Sequence, residues 1–268
     1  MSELLCERIR RNAAELKLPA LVENLDELVV RAEEAQLGYR ELLDLVLEEE
    51  VGALEGRRYA SRLKLSGLPH HKTFEEFELA FQPELDPKRI AELRSLRFLE
   101  RHACLLLLGP PGVGKTHIAV ALAMEAMAAG YFCRYATLAE LIGDLRRAER
   151  LGTLPRRLAH HCRPALLIVD ELGYLPLEPA DANRFFQLVN RRYGHGSMVI
   201  TSNKSIAEWA PLFGDEALAA AILDRLLHEA EVLTINGPSW RLKGRLEALR
   251  GGGQGESNAS KGEDERPS

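Results

Sequence analysis

No apolar run in the chain approaches the ~20 residues that a membrane-spanning helix needs. The opening residues, Met1-Ser2-Glu3-Leu4-Leu5-Cys6-Glu7, are acidic and lack the shape of a signal peptide. No membrane partner is expected. Cysteine is scarce: Cys6, Cys104, Cys133 and Cys162 stand far apart with no C-x-x-C pair. That spacing argues against a disulfide framework or a zinc site and fits a reducing cytoplasm. An excess of basic charge is also missing. The formal net charge of −5 argues against a uniformly basic nucleic-acid binder but leaves room for local basic patches. There is no internal repeat. What is present is 268 residues, 46% hydrophobic and 28% charged, enough for one ordinary domain with a core and a smaller second one.

The most informative stretch is Gly109-Pro110-Pro111-Gly112-Val113-Gly114-Lys115-Thr116, which matches the phosphate-binding P-loop pattern G-x-x-x-x-G-K-[ST]. Its flanks are those the motif requires. Ala103-Cys104-Leu105-Leu106-Leu107-Leu108 reads as a buried parallel strand. His117 to Ala129 reads as a helix stopped by Gly130. Glycines without a Cβ let backbone N–H groups wrap a triphosphate, and the helix N-terminus adds partial positive charge. Lys115 is expected on the β- and γ-phosphates of ATP and Thr116 on Mg²⁺.

Residues 1–66 are predicted to form about three helices, a small all-helical domain for DNA or partner binding. Leu21, Leu25 and Leu28, then Leu43, Leu47, Val51 and Leu54, fall on helical faces. Pro19 suits a first turn, and Arg57, Arg58, Arg62 and Lys64 gather on the final helix. Residues 67–102 read as a linker with Phe74, Phe77 and Phe81 packing on the next domain. His70 and His71 are expected in solvent, and one helix is expected over Lys88 to Arg101. Over residues 103–250 strands and helices alternate, the sign of an α/β domain with a parallel sheet. Further strands are expected at Tyr131–Ala136, Ala165–Val169, Ser197–Thr201 and Ala230–Ile235, with a capping box at Thr137–Glu140. Residues 251–268 turn to Gly, Ser, Glu and Asp and read as a disordered tail.

Three further groups join the nucleotide site. Asp170 and Glu171 follow four apolar residues, at the carboxyl end of a strand where ligands of open α/β sheets sit. Asp170 is expected to hold Mg²⁺ and Glu171 to orient or activate water. Asn203 follows the fourth strand and is placed for the γ-phosphate or the attacking water. Arg225, just before the fifth strand, is placed to reach a neighbouring subunit's γ-phosphate, with an ion pair to Glu229 as the alternative. Arg191 and Arg192 are rival candidates for that role.

Together, the P-loop with His117, Val169-Asp170-Glu171, Thr201-Ser202-Asn203, Glu208-Trp209, Ala221 to His228 and Gly237-Pro238-Ser239-Trp240-Arg241 resemble the IstB/DnaC-like AAA+ ATPases. The likeness is nearest to the IstB branch, the helpers encoded beside insertion-sequence transposases. Trp240 stands where tyrosine is commoner. The resemblance spans roughly Leu16 to Lys243. It implies a P-loop AAA+ core with a parallel five-stranded sheet and no C-terminal lid domain. It also implies Lys115 and Thr116 as the Walker A residues, Asp170 and Glu171 as the Walker B pair, Asn203 as sensor 1 and Arg225 as the arginine finger. Arg241 is a candidate substitute for a lid arginine.

The implied function is ATP-driven assembly of a homo-oligomer on duplex DNA that activates or targets the transposase of the same element. The nearest rival is a DnaC-like helicase loader in replication. Outside this family, a small-molecule kinase would need an acceptor pocket and lid, and a non-hydrolysing ATP binder would not need Glu171. DNA contact is expected at Arg146, Arg147 and Arg150 with Arg156 and Arg157, through phosphates.

Overall fold

The structure, a computed structural model, describes residues 3–174, 176–240 and 242. The chain divides into two compact units at Leu65/Ser66.

The first unit holds α1 (Glu3–Glu15), α2 (Pro19–Glu34) and α3 (Tyr39–Ser66). Its interior is small: Ala13, Ala20, Leu25, Leu28 and Ala32 are buried. Pro19 opens α2 as expected, but the N-cap Leu18 has no side chain that can accept a hydrogen bond. The first-turn N–H of Leu21 donates instead to Glu50 Oε1, at 2.7 Å, from the middle of α3. The buried Glu50 therefore satisfies one of the donors that a helix start leaves unpaired. Leu43, Leu47, Val51 and Leu54 do share α3, yet all four are exposed. Helical spacing places them together but does not decide that anything covers them.

The second unit carries the sheet. Its strands are β1 (Leu105–Leu108), β2 (Cys133–Thr137), β3 (Leu166–Leu172), β4 (Ser197–Ser202) and β5 (Glu231–Thr234). All neighbours are parallel, in the order β2-β3-β4-β1-β5. Parallel strands need both faces covered, and β1 and β4 are buried along their whole length. The helices that cover them are α4 (Pro87–Arg94), α5 (Arg97–Glu100), α6 (Lys115–Ala128), α7 (Leu138–Arg150), α8 (Leu154–Cys162), α9 (Pro179–Arg192), α10 (Ala210–Phe213) and α11 (Glu216–Leu227). Buried residues cover most of the surface of α6, among them Ile118, Val120, Leu122 and Met127 with alanines between. A helix apolar on all sides belongs inside.

Two boundaries differ from the sequence reading. The single helix expected over Lys88 to Arg101 is broken, because Leu96 takes a left-handed conformation (φ 58°) between α4 and α5 and turns its side chain into the core. The third strand runs on through Asp170 and Glu171 to Leu172. The capping box at Thr137 forms as predicted: Glu140 N–H donates to Thr137 Oγ1 and Thr137 N–H to Glu140 Oε2. Arg241, the tail 251–268 and the absence of a lid all fall outside the described residues.

Candidate functional site

The strand order sets the site. Because β4 lies between β3 and β1, three strand ends meet side by side: Leu108 leading into the P-loop, Ser202 leading to Asn203, and Asp170 on β3. Ladder hydrogen bonding continues past the strand, with Gly109 N–H donating to Ser202 O at 3.1 Å. Residues Gly109 to Gly114 then turn the chain into α6. Gly114 has φ 98°, and a Cβ there would come within 2.5 Å of the Phe77 ring. This position therefore requires glycine both for its backbone conformation and for the space.

Lys115 is the first residue of α6 and is buried. Its Nζ donates to Gly109 O at 2.7 Å and to Pro110 O at 2.8 Å. Thr116 Oγ1 lies 3.1 Å from both carboxylate oxygens of Asp170. Asp170 is itself buried, at 3% exposure, and such a carboxylate needs donors. Beside Thr116 it receives Tyr135 OH on Oδ2 at 2.6 Å and Thr201 Oγ1 on Oδ1. Burial and the Asp170 carboxylate push the Tyr135 phenol well above its ordinary pKa, so the hydroxyl keeps its proton and donates. Thr201 Oγ1 in turn accepts the Glu171 N–H at 3.0 Å.

Glu171 departs from the regular strand. The pairing of β3 with β4 slips between Val169 and Leu172, and Glu171 takes φ 65°. A bulge of this kind re-aims a side chain, and a left-handed glutamate is a strained conformation that its surroundings must hold. The carboxylate is exposed at the cavity wall. Asn203 lines the same cavity, and its Oδ1 is buried without a hydrogen-bond partner among the described residues.

Lys115, Thr116, Asp170, Glu171, Thr201 and Asn203 share one cavity of about 380 Å³. Its other end is lined by Phe77, Phe81, Gln82 and Trp240. A cationic, hydroxyl-rich half joined to an aromatic half suits a nucleoside triphosphate. Oxygen donors such as the Thr116 hydroxyl and the Asp170 carboxylate also fit Mg²⁺, which takes one or two protein oxygens and fills its shell with phosphate and water. His117, the next residue of α6, is held by the strap before β1. Its Nε2 lies 2.7 Å from Thr73 O. A carbonyl can only accept, so Nε2 carries the proton. Burial, reinforced by Lys72, holds this imidazole below its usual pKa.

Phe77 and Phe81 pack on the second unit and His70 is exposed, as the sequence leads one to expect; what the sequence does not indicate is that all three also line this cavity. Their signal was faint: aromatic residues spaced just ahead of the P-loop strand. Tyr135 was missed as well, although the carboxyl end of a parallel strand is where such a group belongs.

The arginines separate clearly. Arg225 lies elsewhere, on α11. It donates to Asn190 Oδ1 at 2.7 Å and to Ala221 O at 2.9 Å, and its guanidinium sits 5.0 Å from the centre of the Phe186 ring. The ion pair to Glu229 considered from the sequence is absent among the described residues. Arg225 lines a second cavity, of about 180 Å³, with Cys104 and Met198 at the amino ends of β1 and β4. The four residues of β1, about 13 Å of strand, separate that end of the sheet from the chain's own P-loop. Arg192, a rival for the same role, is only 1% exposed. It donates to the carbonyls of His161, Pro164 and Ser197 at 2.9, 3.0 and 2.7 Å, so it ties the fold together and is unable to reach another subunit. Arg146 likewise changes meaning. Both its Nε and Nη2 hold the buried carboxylate of Asp181, so it is not the open phosphate contact expected of it.

The comparisons with known proteins agree with this geometry. The AMPPCP-bound DnaA from Aquifex aeolicus superposes with a TM-score of 0.55 at 18% identity, over 72% of this chain and 59% of that one. This likeness is one of fold alone. An ATP-binding protein of insertion sequence IS5376 from Geobacillus stearothermophilus is 41% identical over 237 residues, 88% of this chain and 94% of the relative. An ATP-binding protein of insertion sequence IS21 from Pseudomonas aeruginosa is 44% identical over 233 residues, 87% of this chain and 88% of the relative. The family described as IstB-like ATP binding protein matches residues 11–248, and the chain belongs to that family.

Proposed function

We propose that this chain binds ATP with Mg²⁺, hydrolyses it, and uses the cycle to assemble on duplex DNA as a homo-oligomer that activates or targets the transposase encoded by the same element. The observation that carries this reading is the convergence of Lys115, Thr116, Asp170, Glu171 and Asn203 on one cavity at three adjacent strand ends. The relatives named for insertion sequences support the transposition helper over a helicase loader.

Lys115 leaves the Gly109 and Pro110 carbonyls for the β- and γ-phosphates, while backbone N–H groups of Gly112 to Thr116 wrap the chain of phosphates. Thr116 and Asp170 would hold Mg²⁺, which would supply charge neutralisation at the phosphate oxygens. Tyr135 and Thr201 keep Asp170 oriented. Glu171, turned outward by the bulge, accepts a proton from the attacking water, and Asn203 Oδ1 accepts a hydrogen bond that helps to place it. Arg225, on the far end of the sheet, serves the nucleotide of a neighbouring copy, which makes hydrolysis depend on assembly.

For DNA, Arg147 and Arg150 of α7 stay exposed and without a carboxylate partner among the described residues, unlike Arg146, and α8 adds a second basic surface. Arg156 and His160 of α8 and Arg163 at its C-cap, with Thr153 and Arg157, line a cavity of about 350 Å³. Arg156 and Arg163 are exposed, and neither pairs with a carboxylate among the described residues. Uncompensated arginines on an open face suit phosphates read without sequence. No helix among the described residues is long and apolar enough to cross a membrane, and the four free cysteines suit a reducing cytoplasm.

The test is Glu171→Gln. It is expected to bind ATP normally, to hydrolyse it about 10²–10⁴-fold more slowly, and to stay in a large complex on duplex DNA as measured by light scattering. Hydrolysis at the parent rate would remove Glu171 from its role.

A further inference from the structure

The segment that follows β5 returns to the nucleotide cavity, and the P-loop is built against it. A Cβ on Gly109 (φ 143°) would come within 2.0 Å of Ile235 O, and one on Gly112 (φ 85°) within 2.1 Å of Ser239 Oγ. Trp240 N–H donates to Gly112 O at 2.9 Å. Two of the three loop glycines thus give their missing side-chain volume to residues 235–239 as well as to phosphates. The same segment is fastened to the strap before β1. Gln82 is buried and its Nε2 donates to Pro238 O at 3.1 Å. A Cβ on Gly237 would overlap Gln82 Oε1. The Trp240 ring meets Phe81 edge to face at a centroid distance of 4.9 Å. Trp240 nevertheless keeps 48% of its surface exposed and lines the same cavity as Lys115.

From this geometry we infer that Trp240 is a base-contacting residue: its ring, braced by Phe81, stacks on the base of the nucleoside triphosphate whose phosphates lie in the P-loop. The inference rests on the nucleotide reading above and adds to it the residue that recognises the base. Physical chemistry supports the pairing. An indole face offers a base sequence-tolerant stacking, and the brace removes part of the ordering cost that a loose tryptophan would carry. The backbone bond to Gly112 O places the ring at a fixed offset from the phosphate cradle. Base and triphosphate are therefore sensed by one connected piece of chain.

The experiment is calorimetric titration of the full chain with ATP and with inorganic tripolyphosphate, both in the presence of Mg²⁺, on the parent, Trp240→Ala and Trp240→Phe. Trp240→Ala is expected to weaken ATP about tenfold and to leave tripolyphosphate affinity unchanged, with Trp240→Phe recovering most of the loss. A second readout is available because the chain has two tryptophans and Trp209 is fully buried. ATP, but not tripolyphosphate, is expected to change the tryptophan emission of the parent and not that of Trp240→Phe. Equal losses for ATP and tripolyphosphate in Trp240→Ala would overturn the inference, since the residue would then act only by shaping the loop. Unchanged ATP affinity in that variant would overturn it too. A parent chain that binds neither ligand would bring down the nucleotide reading itself, and this inference with it.

Discussion

Lys115 and Arg192 are both buried cations held by main-chain carbonyls, at opposite ends of the same sheet. Lys115 donates to two of them across a cavity wide enough for a ligand. Arg192 spans the turn before β3 and the start of β4: its Nη groups donate to the carbonyls of His161, Pro164, Ala165 and Ser197, while its Nε is buried without a hydrogen-bond partner among the described residues. Burial without a carboxylate lowers the Arg192 pKa to about 10, which still leaves it charged at neutral pH. A buried charge is costly to strand. At the carboxyl edge that cost is a readiness to bind anions; at the amino edge it is absorbed by the fold. Residue type alone does not tell a binding cation from a structural one. The distinction lies in whether open space adjoins the charged atoms.

The largest effect that would sharpen this contrast belongs to the third cation, Arg225, which is half-exposed and lies on the amino side. Arg225→Ala is expected to leave ATP affinity per chain intact and to lower hydrolysis in the assembled state by about 10³-fold, as removal of an arginine finger does. Steady-state phosphate release with duplex DNA present is the measurement. A parent rate would return Arg225 to the structural class with Arg192.

Next comes the pair itself. Arg192→Met is expected to cost about 3 kcal/mol of stability, because several carbonyls lose their donor at once, with ATP affinity kept in the folded fraction. Lys115→Met is expected to do the reverse, keeping the thermal midpoint within a few degrees and abolishing measurable ATP binding. Denaturant melts and calorimetry on both variants would break the comparison if the two effects were exchanged or shared.

The smallest effect concerns the basic surface. Replacing Arg156 and Arg163 of α8 by glutamine is expected to weaken duplex binding and to lower the slope of log affinity against log salt by about 2, one per phosphate contact. Arg146→Gln is expected to leave that slope alone and to destabilise the chain, since the buried Asp181 would keep only its pair with Arg184. A lowered slope for Arg146→Gln with none for the α8 pair would move the DNA contact to α7.

Much of this was legible in the residues. The P-loop, its flanking strand and helix, and the capping box at Thr137 rest on local chemistry: glycine geometry, apolar runs and side-chain acceptors at fixed offsets. Each of these needs only a few neighbours in sequence. What failed needed neighbours in space. The break at Leu96 follows from a leucine drawn into the core against its helical preference, and tertiary burial outweighs propensity there. The bulge at Glu171 depends on how β3 and β4 run side by side. Arg146 reads as a DNA contact and Arg192 as a rival arginine finger until Asp181 and the carbonyls around β3 and β4 are brought to them.

By itself, then, the sequence determined that a P-loop stands between a strand and a helix, and that strands and helices alternate around it, because these depend on short-range sterics and hydrogen bonding. Only the tertiary structure decided the rest. It placed β4 between β1 and β3, so that the strand carrying Thr201 and leading to Asn203 runs between the strand of the P-loop and the strand of Asp170. It folded residues 70–82 and 235–240 over the loop as the aromatic end of the cavity. It sent Arg225 to the far edge of the sheet, out of reach of its own nucleotide. Those outcomes rest on contacts between residues far apart in sequence, from Arg225 with Asn190 to Gln82 with Pro238, and no local pattern encodes which distant partner a side chain will meet.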